Sequence, residues 1–203
     1  MYLEQSITLL GHNGAGKTTL IHYLLGFYTH LSNHPFLSHF ESFIQTLSGQ
    51  KVAYAPEKSL LTSTLSAKDY FNLYKKSSDA EIQNYLKSFH LSIHPKESIK
   101  KYSKGMQQRL QLALAFYSDP EVLFLDEPTS GLDPFGTQDI EKLIKQKNED
   151  LHIVLSTHSL LFAYELQNEI WIMKEGKLVY RGHPDSYESL CEIFDATRPK
   201  KVL

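Results

Sequence analysis

Cysteine is nearly missing from this 203-residue chain: Cys191 stands alone, so no internal disulfide can form. That usage suits a reducing compartment, with the lone thiol expected as a half-buried packing residue. A surplus of one charge is missing too. With 21 Lys and Arg against 23 Asp and Glu, well mixed, the net charge of −2 leaves no cationic footprint for nucleic acid or an anionic membrane surface. No apolar run approaches the ~20 residues of a membrane span, and the first residues carry no basic stretch followed by an apolar segment. The chain is therefore expected to meet a membrane only through a protein partner. Its 10 histidines are scattered, without the close pairs or nearby thiols of a zinc site. No internal repeat is visible. What the chain does have is 41% apolar residues, enough for one large domain or for one core with an insertion.

The most informative stretch is Gly11-His12-Asn13-Gly14-Ala15-Gly16-Lys17-Thr18, which fits G-x-x-x-x-G-K-[ST] at every fixed position. Apolar Ile7-Thr8-Leu9-Leu10 before it reads as a buried strand. The residues from Thr19 onward put Leu20, Ile21, Leu24 and Leu25 on one helical face. A strand, a glycine loop and a helix in that order make a phosphate cradle, because the loop turns several N–H groups inward and the helix adds its positive end. Lys17 would hold the β- and γ-phosphates as a mobile cation, and the Thr18 hydroxyl would ligate Mg²⁺. A glycine-rich turn with a chance lysine would not need that context.

Further along, Gly26 to Gln50 lacks periodicity and reads as irregular, and Lys51 to Ala55 reads as a short strand stopped by Pro56, with Glu57 at its exit. From Ser66 to about Tyr117 the period becomes helical. Ser66-x-x-Asp69 resembles a capping box; Ile82, Tyr85, Leu86 and Phe89 form one apolar stripe, and Leu110, Ala113, Leu114 and Tyr117 another. Glu121 to Glu127 is an apolar strand ending in two carboxylates, Asp126 and Glu127, at the end where polar chemistry gathers on a parallel sheet. Ile140, Leu143 and Ile144 mark an amphipathic helix, and His152 to His158 another strand. A terminal hairpin follows over Ile170 to Tyr180, then a short helix over Pro184 to Phe194 and a frayed tail. Strand and helix alternate, as a parallel α/β sheet requires.

Asp126 is placed to hold Mg²⁺ opposite Thr18, and Glu127 to orient or deprotonate a water attacking the γ-phosphate. At this point the chain resembles the ATP-binding subunit of an ATP-binding cassette (ABC) transporter over nearly all its length. Leu125-Asp126-Glu127-Pro128-Thr129-Ser130-Gly131-Leu132-Asp133-Pro134 is similar to that family's Walker B and D-loop. Tyr102-Ser103-Lys104-Gly105-Met106-Gln107-Gln108-Arg109 is similar to its signature, Ser156-Thr157-His158 to its switch histidine, and Tyr54-Ala55-Pro56-Glu57 to its Q-loop. The resemblance implies a P-loop NTPase (RecA-like) fold of class α/β, a mostly parallel sheet core with an inserted α-helical subdomain. Within one domain of 1–203, the core would take 1–57 and 119–203 and the helical part 58–118.

The same resemblance implies Mg-dependent ATP hydrolysis with Glu127 as base and His158 as switch. ATP would lie against Gly11 to Thr18 and Thr19, with Thr18, Glu57 and Asp126 around Mg²⁺. The composite site of a head-to-tail dimer would add Ser103 and the N–H of Gly105 from the other copy, and Asp133 would couple the sites. The partners implied are an integral-membrane permease and a second or paired cassette in an ATP sandwich, with the chain cytoplasmic on the inner face of the membrane. Lys104, Met106 and Glu57, where the common signature and Q-loop have Gly, Gln and Gln, resemble the subfamily that serves ABC-2-type exporters. Two other readings are a non-transport ABC protein that clamps nucleic acid or ribosomes, and a regulatory module with reduced turnover. Family members carry two further strands and an adenine-stacking aromatic before the cradle. Their absence gives the expectation of an upstream start or of weak, poorly selective adenine binding; tight, ATP-selective binding would instead mean that another residue, such as an aromatic between Phe27 and Phe43, has taken over the adenine face.

Overall fold

The computed structural model describes residues 6–28, 47–148 and 151–197. Most of the stretch read as irregular lies outside the described residues, as does the tail. Two compact units divide the chain: Met1–Gln50 with His152–Leu203, and Lys51–Leu151.

In the first unit, β1 (Ile7–Leu10) leads through the glycine loop into α1 (Lys17–Leu24). Every residue of β1 is buried, Thr8 included, which is why the strand is mostly apolar and shows no alternation with charged residues. After the second unit, the chain returns as β4 (His152–Thr157), α6 (Leu160–Glu165), β5 (Glu169–Lys174), β6 (Lys177–Gly182) and α7 (Tyr187–Ala196). Strand β1 lies between β4 and β5, parallel to both, while β5 and β6 form an antiparallel hairpin. The hairpin turn takes positive φ at both Glu175 and Gly176, 49° and 74°, which glycine accepts readily and glutamate adopts only because the turn requires it. Leu10, Ala163, Ile170, Ile172, Leu190 and Phe194 form a core cluster in this unit, so both α6 and α7 pack on the sheet.

The second unit holds β2 (Val52–Ala55), α2 (Ala67–Tyr74), α3 (Asp79–Lys87), a 3₁₀ turn at Ile99–Lys101, α4 (Lys104–Tyr117), β3 (Val122–Asp126) and α5 (Pro134–Asn148). Strands β2 and β3 pair in parallel. The expected capping box at Ser66 is present: Ser66 Oγ accepts the Asp69 N–H, and the Asp69 carboxylate accepts the Ser66 N–H at 2.8 Å. The apolar stripes meet in an aromatic cluster, where the buried Phe71 ring lies 4.6 Å from Tyr117 and 5.8 Å from Tyr85 between centroids. Burial pushes the Tyr85 hydroxyl above its ordinary range, and it donates to the Ala113 carbonyl at 3.2 Å. Replacing Phe71 by Ala should cost about 3–5 kcal/mol, read as a lower chemical-denaturation midpoint.

Strands β2 and β3 group with the helices because they follow the same stretch of chain and α4 packs on β2. Helix α4 is also tied to α5, since Arg109 Nη2 meets the Asp139 carboxylate at 3.0 Å. The hydrogen bond from Arg109 holds the Asp139 carboxyl below its ordinary value of 3.8. A carboxyl lowered by folding stabilises the fold above its unfolded pKa, and the contribution disappears as pH falls through the lower folded value. Arg109→Met should therefore lower the melting temperature at pH 7, by an effect within the ~1 kcal/mol of a partly exposed pair, and the difference should shrink below about pH 3.8.

Candidate functional site

The glycine loop is fixed from behind by the β5–β6 hairpin. A Cβ on Gly11 would sit 2.7 Å from the Met173 carbonyl oxygen, and one on Gly16 would sit 3.2 Å from the Gly176 Cα. The Gly176 N–H donates to the Ala15 carbonyl at 2.9 Å. Gly14 and Gly16 take φ values of 80° and 99°, conformations open to glycine and strained for a side chain. This hairpin wall was not legible as part of the site, because its residues lie about 160 positions from the loop they support.

Helix α1 starts at this loop on Gly16 and has no side-chain cap. By contrast α2, α3, α4, α6 and α7 each begin on a serine whose hydroxyl accepts a first-turn N–H. The first turn of α1 thus keeps its positive end for an anion, and a cation stands beside it. Lys17 is only 6% exposed, and its Nζ donates to the Gly11 carbonyl at 2.7 Å and to the His12 carbonyl at 3.4 Å. A buried ammonium over an uncapped helix start fits a polyphosphate. Thr18 and Thr19 are exposed on the first turn, Asn13 is exposed on the loop, and the His12 ring lies 4.6 Å from the Phe194 ring on α7.

Register places the other residues. Leu10 of β1 pairs with Thr157 of β4, so the cradle and His158 leave neighbouring strands at the same sheet end. His158 is exposed, and Ser159 behind it caps α6 by accepting the Phe162 N–H at 3.3 Å. Helix α6 has six residues, too short to show periodicity in the sequence, and its serine cap is the one signal for it.

The second unit repeats the pattern. Ala55 pairs with Leu125, so Glu57 and the Asp126-Glu127 pair also leave adjacent strands at one end. Asp126 is 1% exposed and Glu127 7%. Glu127 has φ of 44°, a left-handed conformation uncommon for a non-glycine residue and typical of sites where the backbone is held under strain. Its carbonyl accepts the Ser130 N–H at 2.9 Å, closing a turn, and the Ser130 hydroxyl donates to Glu57 Oε1 at 3.0 Å. Ser130 therefore bridges two residues singled out from the sequence. The Asp133 carboxylate accepts the Gly136 N–H at 2.8 Å at the start of α5. Ser103 caps α4 by accepting the Met106 N–H at 3.2 Å, with Gly105 in the first turn against the Leu132 side chain. Lys104 lies with its side chain over Gly131.

Residues 1–130 match the ABC transporter family, well over half of the chain. The chain belongs to that family. It is 33% identical over 191 residues to the lantibiotic transport ATP-binding protein SrtF of Streptococcus pyogenes, covering 92% of this chain and 82% of the relative. Among solved structures, an ATP-binding subunit of an ABC transporter superposes with a TM-score of 0.70 at 25% identity, covering 95% of this chain and 84% of the other. CbiO1 of Clostridium perfringens, part of the cbiONQ transporter complex, gives 0.65 at 27% identity over 89% of this chain and 77% of the other. The cassette thus has the P-loop NTPase fold expected of it. It is an ATP-binding, ATP-hydrolysing subunit of the kind that energises transport through a separate permease. Among the described residues no helix is long and apolar enough to cross a membrane.

Proposed function

We propose that this cassette binds Mg-ATP on residues Gly11 to Thr19 and hydrolyses it with Glu127 as general base. The observation that carries the reading is the uncapped start of α1 with the buried Lys17 ammonium on its loop. Lys17 neutralises the β- and γ-phosphates, while the Thr18 hydroxyl and the Asp126 carboxylate supply hard oxygen ligands for Mg²⁺. Among the described residues no group of three or more His, Cys, Asp and Glu side chains converges on one metal position. A cation here would therefore take most of its ligands from phosphate and water, which is how Mg²⁺ is usually held. Glu57 would be a further carboxylate for that cation. Glu127 takes the proton of the attacking water, and His158 orients that water and contacts the γ-phosphate.

In this reading two cassettes close head to tail. Ser103 and the Gly105 N–H of one copy cover the nucleotide of the other, and Asp133 couples the two sites. Residues 58–118 form the helical subdomain that carries the signature. The membrane partner is a permease of the ABC-2 export type, with the cassette on the cytoplasmic face of the membrane; likeness to a lantibiotic transport ATP-binding protein supports a transport partner.

Complementation in mixed dimers tests the reading. Lys17→Ala and Ser103→Arg should each abolish turnover, because every site of either homodimer lacks one half. Mixing the two variants should restore part of the activity, since one site then draws both halves intact. No recovery over a range of mixing ratios, with dimers present, would contradict the shared site.

A further inference from the structure

Helix α4 grips both carboxylate loops of its own unit through two buried glutamines. Gln108 is 4% exposed and its Nε2 donates to the Pro128 carbonyl at 3.0 Å, one residue after Glu127. Gln111 is 7% exposed and its Nε2 donates to the Pro56 carbonyl at 2.6 Å, one residue before Glu57. The Gln111 Oε1 also accepts the Leu60 N–H at 3.4 Å. The two glutamines are three residues apart, so they share a face of the helix. Beyond them, the Ser130 hydroxyl joins the two loops to each other through Glu57.

This arrangement is specific in a way that general packing is not. A buried primary amide must satisfy its donors and acceptor, so each glutamine fixes the carbonyl it meets in both distance and direction. Both prolines stand just beyond strand ends, where their carbonyls are turn acceptors rather than part of a helical ladder. The cap at Ser103 lies five residues before Gln108 and eight before Gln111. At 1.5 Å per residue these are separations of about 7.5 and 12 Å along one rigid helix.

We propose that Gln108 and Gln111 are positioning residues for hydrolysis: through them the helix that presents Ser103 to the partner's nucleotide sets the positions of Glu127 and Glu57 in its own chain. The proposal rests on the reading of those carboxylates given above. Docking of the signature end on one nucleotide thereby adjusts the hydrolytic carboxylates that serve the other. Each glutamine acts through the loop it holds.

Gln108→Met and Gln111→Met keep side-chain length and remove the amide. In the nucleotide-free cassette, hydrogen exchange should speed up at least ~10-fold at the Leu60 amide in Gln111→Met and at the Ser130 amide in Gln108→Met, as the held turns open locally. Turnover per chain able to bind ATP should fall ~10- to 10²-fold while KM for ATP stays within about twofold, because the cradle is untouched and only the carboxylates are misplaced. Gln111→Asn, which keeps the amide but shortens its reach, carries the same expectation if the Met variant does not accumulate. Parent exchange rates at both amides, or parent kcat in both variants, would overturn the proposal. Failure of the underlying reading shows separately, as parent-rate hydrolysis by Glu127→Gln.

Discussion

Glu127→Gln is expected to reduce steady-state ATP hydrolysis by ~10²- to 10⁴-fold, the range for loss of a general base, while leaving ATP binding intact. Glutamine matches glutamate in shape and tolerates the same backbone, so the left-handed turn at φ 44° and its bond to Ser130 survive the change. What is lost is the proton acceptor alone. With hydrolysis blocked, ATP should hold two cassettes together, and light scattering coupled to size exclusion should show a dimer with Mg-ATP and none with ADP. Hydrolysis at the parent rate would remove Glu127 from the mechanism.

Lys17→Ala is expected to act on the earlier step. The ammonium is buried on its own loop carbonyls, so its removal deletes a charge held close to the phosphate position rather than one screened by solvent. Truncating one partner of a buried charge pair costs about 2–5 kcal/mol, which corresponds to a loss of affinity of ~30- to several-thousand-fold. Isothermal titration with ATP in the presence of EDTA isolates this term from Mg²⁺. Affinity within threefold of the parent would mean that Lys17 does not meet phosphate in the bound state.

The cradle was legible because everything it needs is contiguous: a buried strand, glycines at positive φ, and a lysine and threonine opening a helix within twelve residues or so. Strand β3 was legible for the same reason, since a run buried on both faces carries its own apolar signature up to Asp126. The wall behind the cradle was not, because Met173 and Gly176 meet Gly11 and Gly16 only after the chain has passed through a second compact unit. The glutamine grip escaped for a different reason. Gln108 stands within the signature-like stretch and Gln111 two residues past it, neither with a role of its own in the sequence, and only the burial of their amides against two proline carbonyls marks them.

Single-turnover phosphate release from Mg-ATP by the unaltered cassette, run beside the same mixture in EDTA, tests the central claim most directly. The account predicts up to one phosphate released per bound ATP with Mg²⁺, and nucleotide bound but unhydrolysed in EDTA. ATP that binds with Mg²⁺ and is recovered intact, at any protein concentration that permits dimers, would contradict it.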